Sequence, residues 1–128
     1  MKVIVAGSRD VRDFDAVSKA IKDSGFEVTL IIHEGARGVD TLAEKWAVKN
    51  DIPFEKYPAD WDQYNKAAGH IRNSQMAAAG EALVAIRKDG SRGTTNMIEQ
   101  AKKKGLPVYI VEYEGSPEKV PLDDSIFD

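Results

Sequence analysis

Along this chain, short apolar runs rich in β-branched residues alternate with segments whose apolar residues recur at helical spacing. Three of the runs end in a loop of glycine and arginine that opens the next helical segment. The loops are Ala6-Gly7-Ser8-Arg9-Asp10, Glu34-Gly35-Ala36-Arg37-Gly38 and Gly90-Ser91-Arg92-Gly93-Thr94-Thr95. Strands alternating with helices of this length imply βαβ units and a mostly parallel sheet. The expected fold is therefore α/β, a three-layer sandwich of five mostly parallel strands flanked by helices.

The individual elements follow from pattern. Lys2 to Ala6 shows no polar alternation, so it reads as a central strand buried on both faces. Phe14, Val17, Ala20 and Ile21 fall at helical spacing, and Gly25 follows where a helix would end. Val28 to Ile32 is the second expected strand. Val39, Leu42, Ala43, Trp46 and Ala47 form the next helical stripe, with Trp46 in the core, ending near Asn50. Ile52 to Tyr57 reads as an edge strand, because Pro53 cannot donate to a ladder. A small-residue helix is expected from about Lys66 to Ala79, a buried strand over Ala82 to Ile86, a helix over Thr94 to Lys104 and a last strand over Leu106 to Val111. Residues 1–112 are read as one domain and residues 113–128 as an acidic tail.

Composition narrows the function classes. With 42% of its 128 residues hydrophobic the chain can bury a core, and no apolar run approaches the length of a membrane helix. The opening Met1-Lys2-Val3-Ile4-Val5 is too short for the apolar region of a signal peptide, so a cytoplasmic protein is expected. The absence of cysteine excludes disulfides, thiolate zinc sites and cysteine nucleophiles. A net charge of −3 with dispersed lysines suits a small anionic ligand better than a nucleic acid.

The loops point to the ligand class. Open α/β sheets bind ligands at the carboxyl ends of their strands, where free helix N–H groups face the crevice. Glycine lets a phosphate approach the backbone, and an arginine can fork onto it with two hydrogen bonds. Gly7, Ser8, Arg9, Gly35, Ala36, Arg37, Ser91, Arg92, Gly93, Thr94 and Thr95 are the loop candidates. Thr94 could instead simply cap its helix. Arg72 and Asn73, in Gly69-His70-Ile71-Arg72-Asn73, add a cation and an amide. Asp40 is placed to hold a ribose hydroxyl or to pair with Arg37, and Asp60 is a second ribose candidate. Trp61 could stack on a base, act as a lid on the core, or form a dimer contact. His33 and His70 are read as structural or solvent-facing. No fixed metal or required cofactor is expected, although magnesium could arrive with a phosphate ligand.

Read in order, these motifs resemble a known family. Gly7-Ser8-Arg9, Glu34 to Asp40, Pro58-Ala59-Asp60-Trp61, Lys66 to Asn73 and Ser91 to Met97 look like the YspA branch of the SLOG superfamily. That group includes Smf/DprA and the LOG cytokinin-activating phosphoribohydrolases. The resemblance spans about residues 3 to 111 and implies a Rossmann-like domain that binds nucleotides or molecules derived from them. LOG-type members cleave the base from ribose 5′-phosphate with an early-helix arginine and a glutamate after a Gly-Gly-x-Gly-Thr loop. Arg72 stands where that arginine would be, but Met97 stands where the glutamate would be, and Glu99 is expected to face away. Glu34 also departs from the pattern, since glycine is usual before Gly-Ala-Arg-Gly.

The leading expectation is thus a protein that senses or sequesters a nucleoside phosphate or an ADP-ribose-like ligand. The alternative is a LOG-like phosphoribohydrolase or N-glycosidase, with Arg72 and Asp40 as catalytic candidates. A single-stranded DNA-binding module is the weakest reading. A homodimer is expected by analogy with SLOG relatives.

Overall fold

A computed structural model describes residues 1–35 and 38–114. Ala36, Arg37 and all of the tail beyond Glu114 lie outside the described residues. Five strands form one sheet: β1 (Lys2–Gly7), β2 (Leu30–His33), β3 (Phe54–Lys56), β4 (Ala82–Arg87) and β5 (Val108–Glu112). Their order across the sheet is β3-β2-β1-β4-β5 and every neighbouring pair is parallel. The expected α/β class and five strands are observed, with the sheet wholly rather than mostly parallel.

β1 and β4 occupy the middle of the sheet, which explains their unbroken apolar runs. They pair from Val3 opposite Ala82 to Gly7 opposite Ile86. Alternate side chains of β1 then enter opposite layers. Val3 and Val5 meet α1 (Phe14–Asp23) and α2 (Val39–Lys49) through Val17, Ala20, Ile21, Leu42 and Ala43. Ile4 and Ala6 meet α4 (Ala68–Ala79) and α5 (Arg92–Lys103) through Met76, Ala77, Met97 and Ile98. Each fully buried aliphatic side chain contributes about 1.5–3 kcal/mol by leaving water, so both layers are needed to hold a thin sheet together.

Local signals set the helix ends. Asp13 caps α1, its carboxylate accepting from Ala16 N at 3.1 Å, and the chain leaves that helix through Gly25 at φ +75°. α2 ends where expected, at Asn50. Trp46 packs on the α1–α2 core but is only half-buried.

Several expected boundaries are corrected. The second strand begins at Leu30 rather than Val28, because Lys2, the first residue of β1, pairs with Leu30 and leaves nothing opposite Val28. The edge strand shrinks to Phe54–Lys56, matching the only part of β2 that it pairs with. The small-residue helix starts at Ala68, after a four-residue helix α3 (Trp61–Tyr64) and a 3₁₀ turn at Asn65–Ala67. The Gly69-His70-Ile71-Arg72-Asn73 segment lies inside this helix. α5 begins at Arg92, two residues before Thr94, with Ser91 at its N-cap position. Among the described residues no helix is long and apolar enough to cross a membrane.

Candidate functional site

The sheet reverses its order of growth between β1 and β4, since β2 and β3 extend one way from β1 and β4 and β5 the other. At this switch point the two strand ends feed loops that diverge, leaving a crevice at the carboxyl edge. A cleft of about 630 Å³ occupies it. Its walls come from Ala6–Asp10 at the end of β1, Glu34 after β2, Lys88, Asp89 and Ser91 between β4 and α5, Arg92–Thr94 at the start of α5, and the α3–α4 segment through Trp61, Lys66 and Arg72.

The cations of this cleft are not equivalent. Arg72 forms an ion pair with Glu34, and both side chains are largely buried, at 11% and 17% exposure. Lys88 sits between two carboxylates, 2.7 Å from Asp89 and 3.7 Å from Asp10. These partners raise the Lys88 pKa, the hydrogen bond that its ammonium donates to Asp89 being the largest cause. Arg9, Lys66 and Arg92 also line the cleft. They have no ion-pair partner among the described residues, so they are the charges available to an incoming anion.

A chain of side-chain hydrogen bonds fixes the floor. Arg72 Nε donates to Asn73 Oδ1 at 2.8 Å, and Asn73 Nδ2 donates to Asn96 Oδ1 at 2.9 Å. Asn73 is buried, so its amide satisfies both helices at once and locks α4 to the start of α5. Met97 reaches the same cleft and is itself almost wholly buried. Glu99 is exposed on the far side of α5, as its helical offset from Met97 requires.

The loop hydroxyls are largely committed to the protein. Ser8 Oγ accepts from Lys88 N at 2.9 Å and lies 3.4 Å from Lys88 O, tying the end of β1 to the end of β4. Thr95 Oγ1 donates to Ser91 O at 2.8 Å and accepts from Arg87 Nη1 at 3.1 Å. Thr94 Oγ1 lies 3.3 Å from Ser91 Oγ. Thr94 is the third helical residue, so it is not the cap considered above; Ser91 holds that position and makes no side-chain capping bond. The first-turn amides of α5 have no acceptor within their own helix. At Gly93 a β-carbon would meet nothing within 4 Å, leaving that backbone open.

Of the residues singled out from sequence, the cleft gathers Gly7, Ser8, Arg9, Trp61, Arg72, Asn73, Ser91, Arg92, Gly93 and Thr94. Gly35, Asp40, Asp60 and Thr95 are not among its lining residues. Asp40 is fully buried in the first turn of α2. Asp60 caps α3, accepting from Gln63 N at 3.1 Å, and borders a smaller cleft. Ala36 and Arg37 lie outside the described residues. Gly7 is required by packing, since a β-carbon there would fall 2.5 Å from both Ile86 O and Val39 Cγ2. Lys66, Lys88 and Asp89 line the cleft without having been singled out. The signal for Lys88 was its place after the apolar run of β4, at the same edge as Arg9.

His33, at the end of β2, is buried and structural, as expected. Its Nδ1 accepts from Gly35 N at 3.0 Å, and its Nε2 lies 3.2 Å from Glu44 Oε1. Burial pushes its pKa down, against an opposing pull from Glu44. His70 lines the cleft but is exposed. Among the described residues no group of acidic or histidine side chains is arranged to hold a metal.

Comparison with known proteins agrees with the fold and the loop motifs. The family model described as the YspA, cpYpsA-related SLOG family matches residues 1–64, which carry β1 to β3 and the first two glycine-and-arginine loops. The Gene 61 protein of Mycobacterium phage D29 is 32% identical over 117 residues, covering 84% of this chain and 93% of the phage protein. No solved structure matches the chain. With a parallel sheet of this order, the loops at its carboxyl edge and these two matches, the chain belongs to the YspA, cpYpsA-related SLOG family.

Proposed function

We propose that the protein binds a nucleotide-derived ligand, a nucleoside phosphate or an ADP-ribose-like molecule, in the cleft at the carboxyl edge of β1 and β4. The observation that carries this reading is the position of Arg9 and Arg92. They flank the switch-point cleft from the ends of adjacent strands, without ion-pair partners among the described residues. A phosphate there meets two guanidinium groups and the open first turn of α5, each a favourable partner for an anion. Trp61, 53% exposed at the cleft wall, offers a flat apolar face to a base. Membership of a SLOG family agrees with a nucleotide-related ligand. Binding without turnover is the favoured form, because a buried methionine, Met97, fills the place where LOG-type enzymes carry a glutamate.

The reading is tested by thermal shift against nucleoside mono- and diphosphates, cyclic nucleotides and ADP-ribose, with each compound followed by mass spectrometry. A ligand present at about 100 times its Kd stabilises the fold by about 2.7 kcal/mol, a readily visible shift. The expected result is a shift with an intact ligand that is lost in Arg9→Ala and Arg92→Ala. Release of the free base would establish the phosphoribohydrolase alternative instead. No shift with any compound would overturn the nucleotide reading.

A further inference from the structure

We infer that Glu34 receives the ribose diol of the bound nucleotide, so that the cleft selects ligands whose 2′- and 3′-hydroxyls carry no phosphate. The inference rests on the nucleotide reading above and adds to it an orientation and a substrate class.

The first argument is position. Glu34 follows the last residue of β2, the strand beside β1. In doubly wound sheets an acidic side chain at the end of that second strand is placed to accept hydrogen bonds from ribose hydroxyls. Neither aspartate considered from sequence can do this from its observed place. Asp40 and Asp60 are absent from the lining of the main cleft, whereas Glu34 lines it.

The second argument is preorganisation. The Glu34 carboxylate is held by Arg72, and Arg72 is held through Asn73 to Asn96. A carboxylate fixed in this way can accept from two neighbouring hydroxyls without first giving up rotational freedom. Arg72 is by the same token already matched to a negative group, which distinguishes it from Arg9 and Arg92.

The third argument is the separation of charge. β2 and β4 lie on either side of β1. Ordinary strand spacing puts their ends about 10 Å apart, the scale of a ribose with its 5′-phosphate. A phosphate drawn to Arg9 and Arg92 therefore leaves the sugar facing Glu34. A second phosphate on the 2′ or 3′ oxygen would confront that carboxylate while its natural counter-ion was occupied. Juxtaposed like charges of this kind reject a ligand more effectively than lost contacts do.

The test is calorimetric binding of adenosine 5′-monophosphate, its 2′-deoxy analogue and adenosine 3′,5′-bisphosphate to the wild type and to Glu34→Gln. Removing a hydrogen bond to a charged acceptor weakens binding about tenfold or more, so the wild type should prefer the monophosphate over each competitor by about that factor. Glu34→Gln should bring the bisphosphate to near parity with the monophosphate, since the repelling charge is gone while the side chain keeps its size. Equal wild-type affinity for the monophosphate and the bisphosphate would overturn the inference, as would an unchanged preference in Glu34→Gln. If the variant does not fold, the wild-type preference decides alone. Failure of all three nucleotides to bind the wild type would overturn this inference while the wider thermal-shift screen decides the nucleotide reading, and monophosphate binding without discrimination would overturn the inference alone.

Discussion

Gly38 lies so close to Ser8 that a β-carbon on residue 38 would stand 2.5 Å from the Ser8 carbonyl oxygen and 2.4 Å from that of Arg9. The same Ser8 carbonyl accepts from Val39 N at 3.4 Å. The loop after β2 is thereby laid directly on the loop after β1, and both reach the candidate site from this junction. Gly38 has φ +76° and ψ −129°, a conformation essentially reserved for glycine. Gly38→Ala adds backbone strain to a clash that no side-chain movement can relieve. It should lower unfolding stability by about 2–4 kcal/mol in urea denaturation. Gly25→Ala is the control: φ is also positive, but nothing lies within 4 Å, so only the local backbone cost of about 1 kcal/mol should appear. Equal losses in the two variants would refute the loop-on-loop account.

Ser8→Ala tests the link between β1 and β4. The hydroxyl accepts from Lys88 N at 2.9 Å, and Ser8 is only 5% exposed. Alanine leaves that backbone N–H without its acceptor in a poorly hydrated place, at a cost of about 1–3 kcal/mol. Because Lys88 begins the loop that carries Arg92, the variant should also weaken whatever ligand the thermal-shift screen finds. Unchanged stability would mean that water replaces the hydroxyl there.

His33 makes stability depend on pH in a definite direction. Its folded pKa lies below the ordinary value of 6.5, burial being the first cause. The unfolded chain then binds more protons than the folded one between the two values, so stability rises with pH in that window. The contribution is complete above about pH 6.5 and is lost as pH falls from there through the folded value. Protonation also removes the acceptor that Nδ1 offers to Gly35 N, beside Glu34 at the cleft. Urea midpoints measured from pH 8 to pH 5 should fall on acidification in the wild type, and by less in His33→Gln. An identical pH profile in the two proteins would contradict this role.

Much of the fold was legible because its signals are local. Val3, Ile4 and Val5 show no alternation since both faces of β1 are covered, and Gly25 closes a helix whose buried stripe is Val17, Ala20 and Ile21. Strand lengths were less legible, because pairing limits them: Val28 is apolar enough to extend β2 but has no partner on β1. The candidate site divides in the same way. Glycine and arginine at strand ends marked Arg9 and Arg92 directly. The ion pair of Arg72 with Glu34 and the bond of Ser8 to Lys88 join distant segments and exist only once the sheet is assembled. Residue type and the family resemblance therefore suggested Arg72 as a phosphate ligand, and the departure at Glu34 marked a carboxylate near the site, but only the assembled fold pairs the two. Asp40 shows the reverse case, a residue of the right chemistry at a loop end that the fold buries completely.

Trp61 provides an optical test of the proposed site. It is one of the two tryptophans, and the other, Trp46, packs half-buried against the α1–α2 core. Trp61 is 53% exposed on the short helix α3 and faces the cleft, with Gly69 beneath its ring edge. An exposed indole that stacks on a base loses solvent contact and changes its emission, whereas a core tryptophan does not. Nucleotide binding should therefore quench a component of fluorescence that disappears in Trp61→Phe. Base–aromatic stacking contributes about 1–3 kcal/mol, so Trp61→Ala should weaken a nucleotide by that amount and leave a base-free phosphosugar nearly unaffected. Unfolding stability should change little, because α3 buries no residue of its own. If ribose 5-phosphate and the full nucleotide lost affinity equally in Trp61→Ala, the ring would be shaping the cleft rather than stacking on a base.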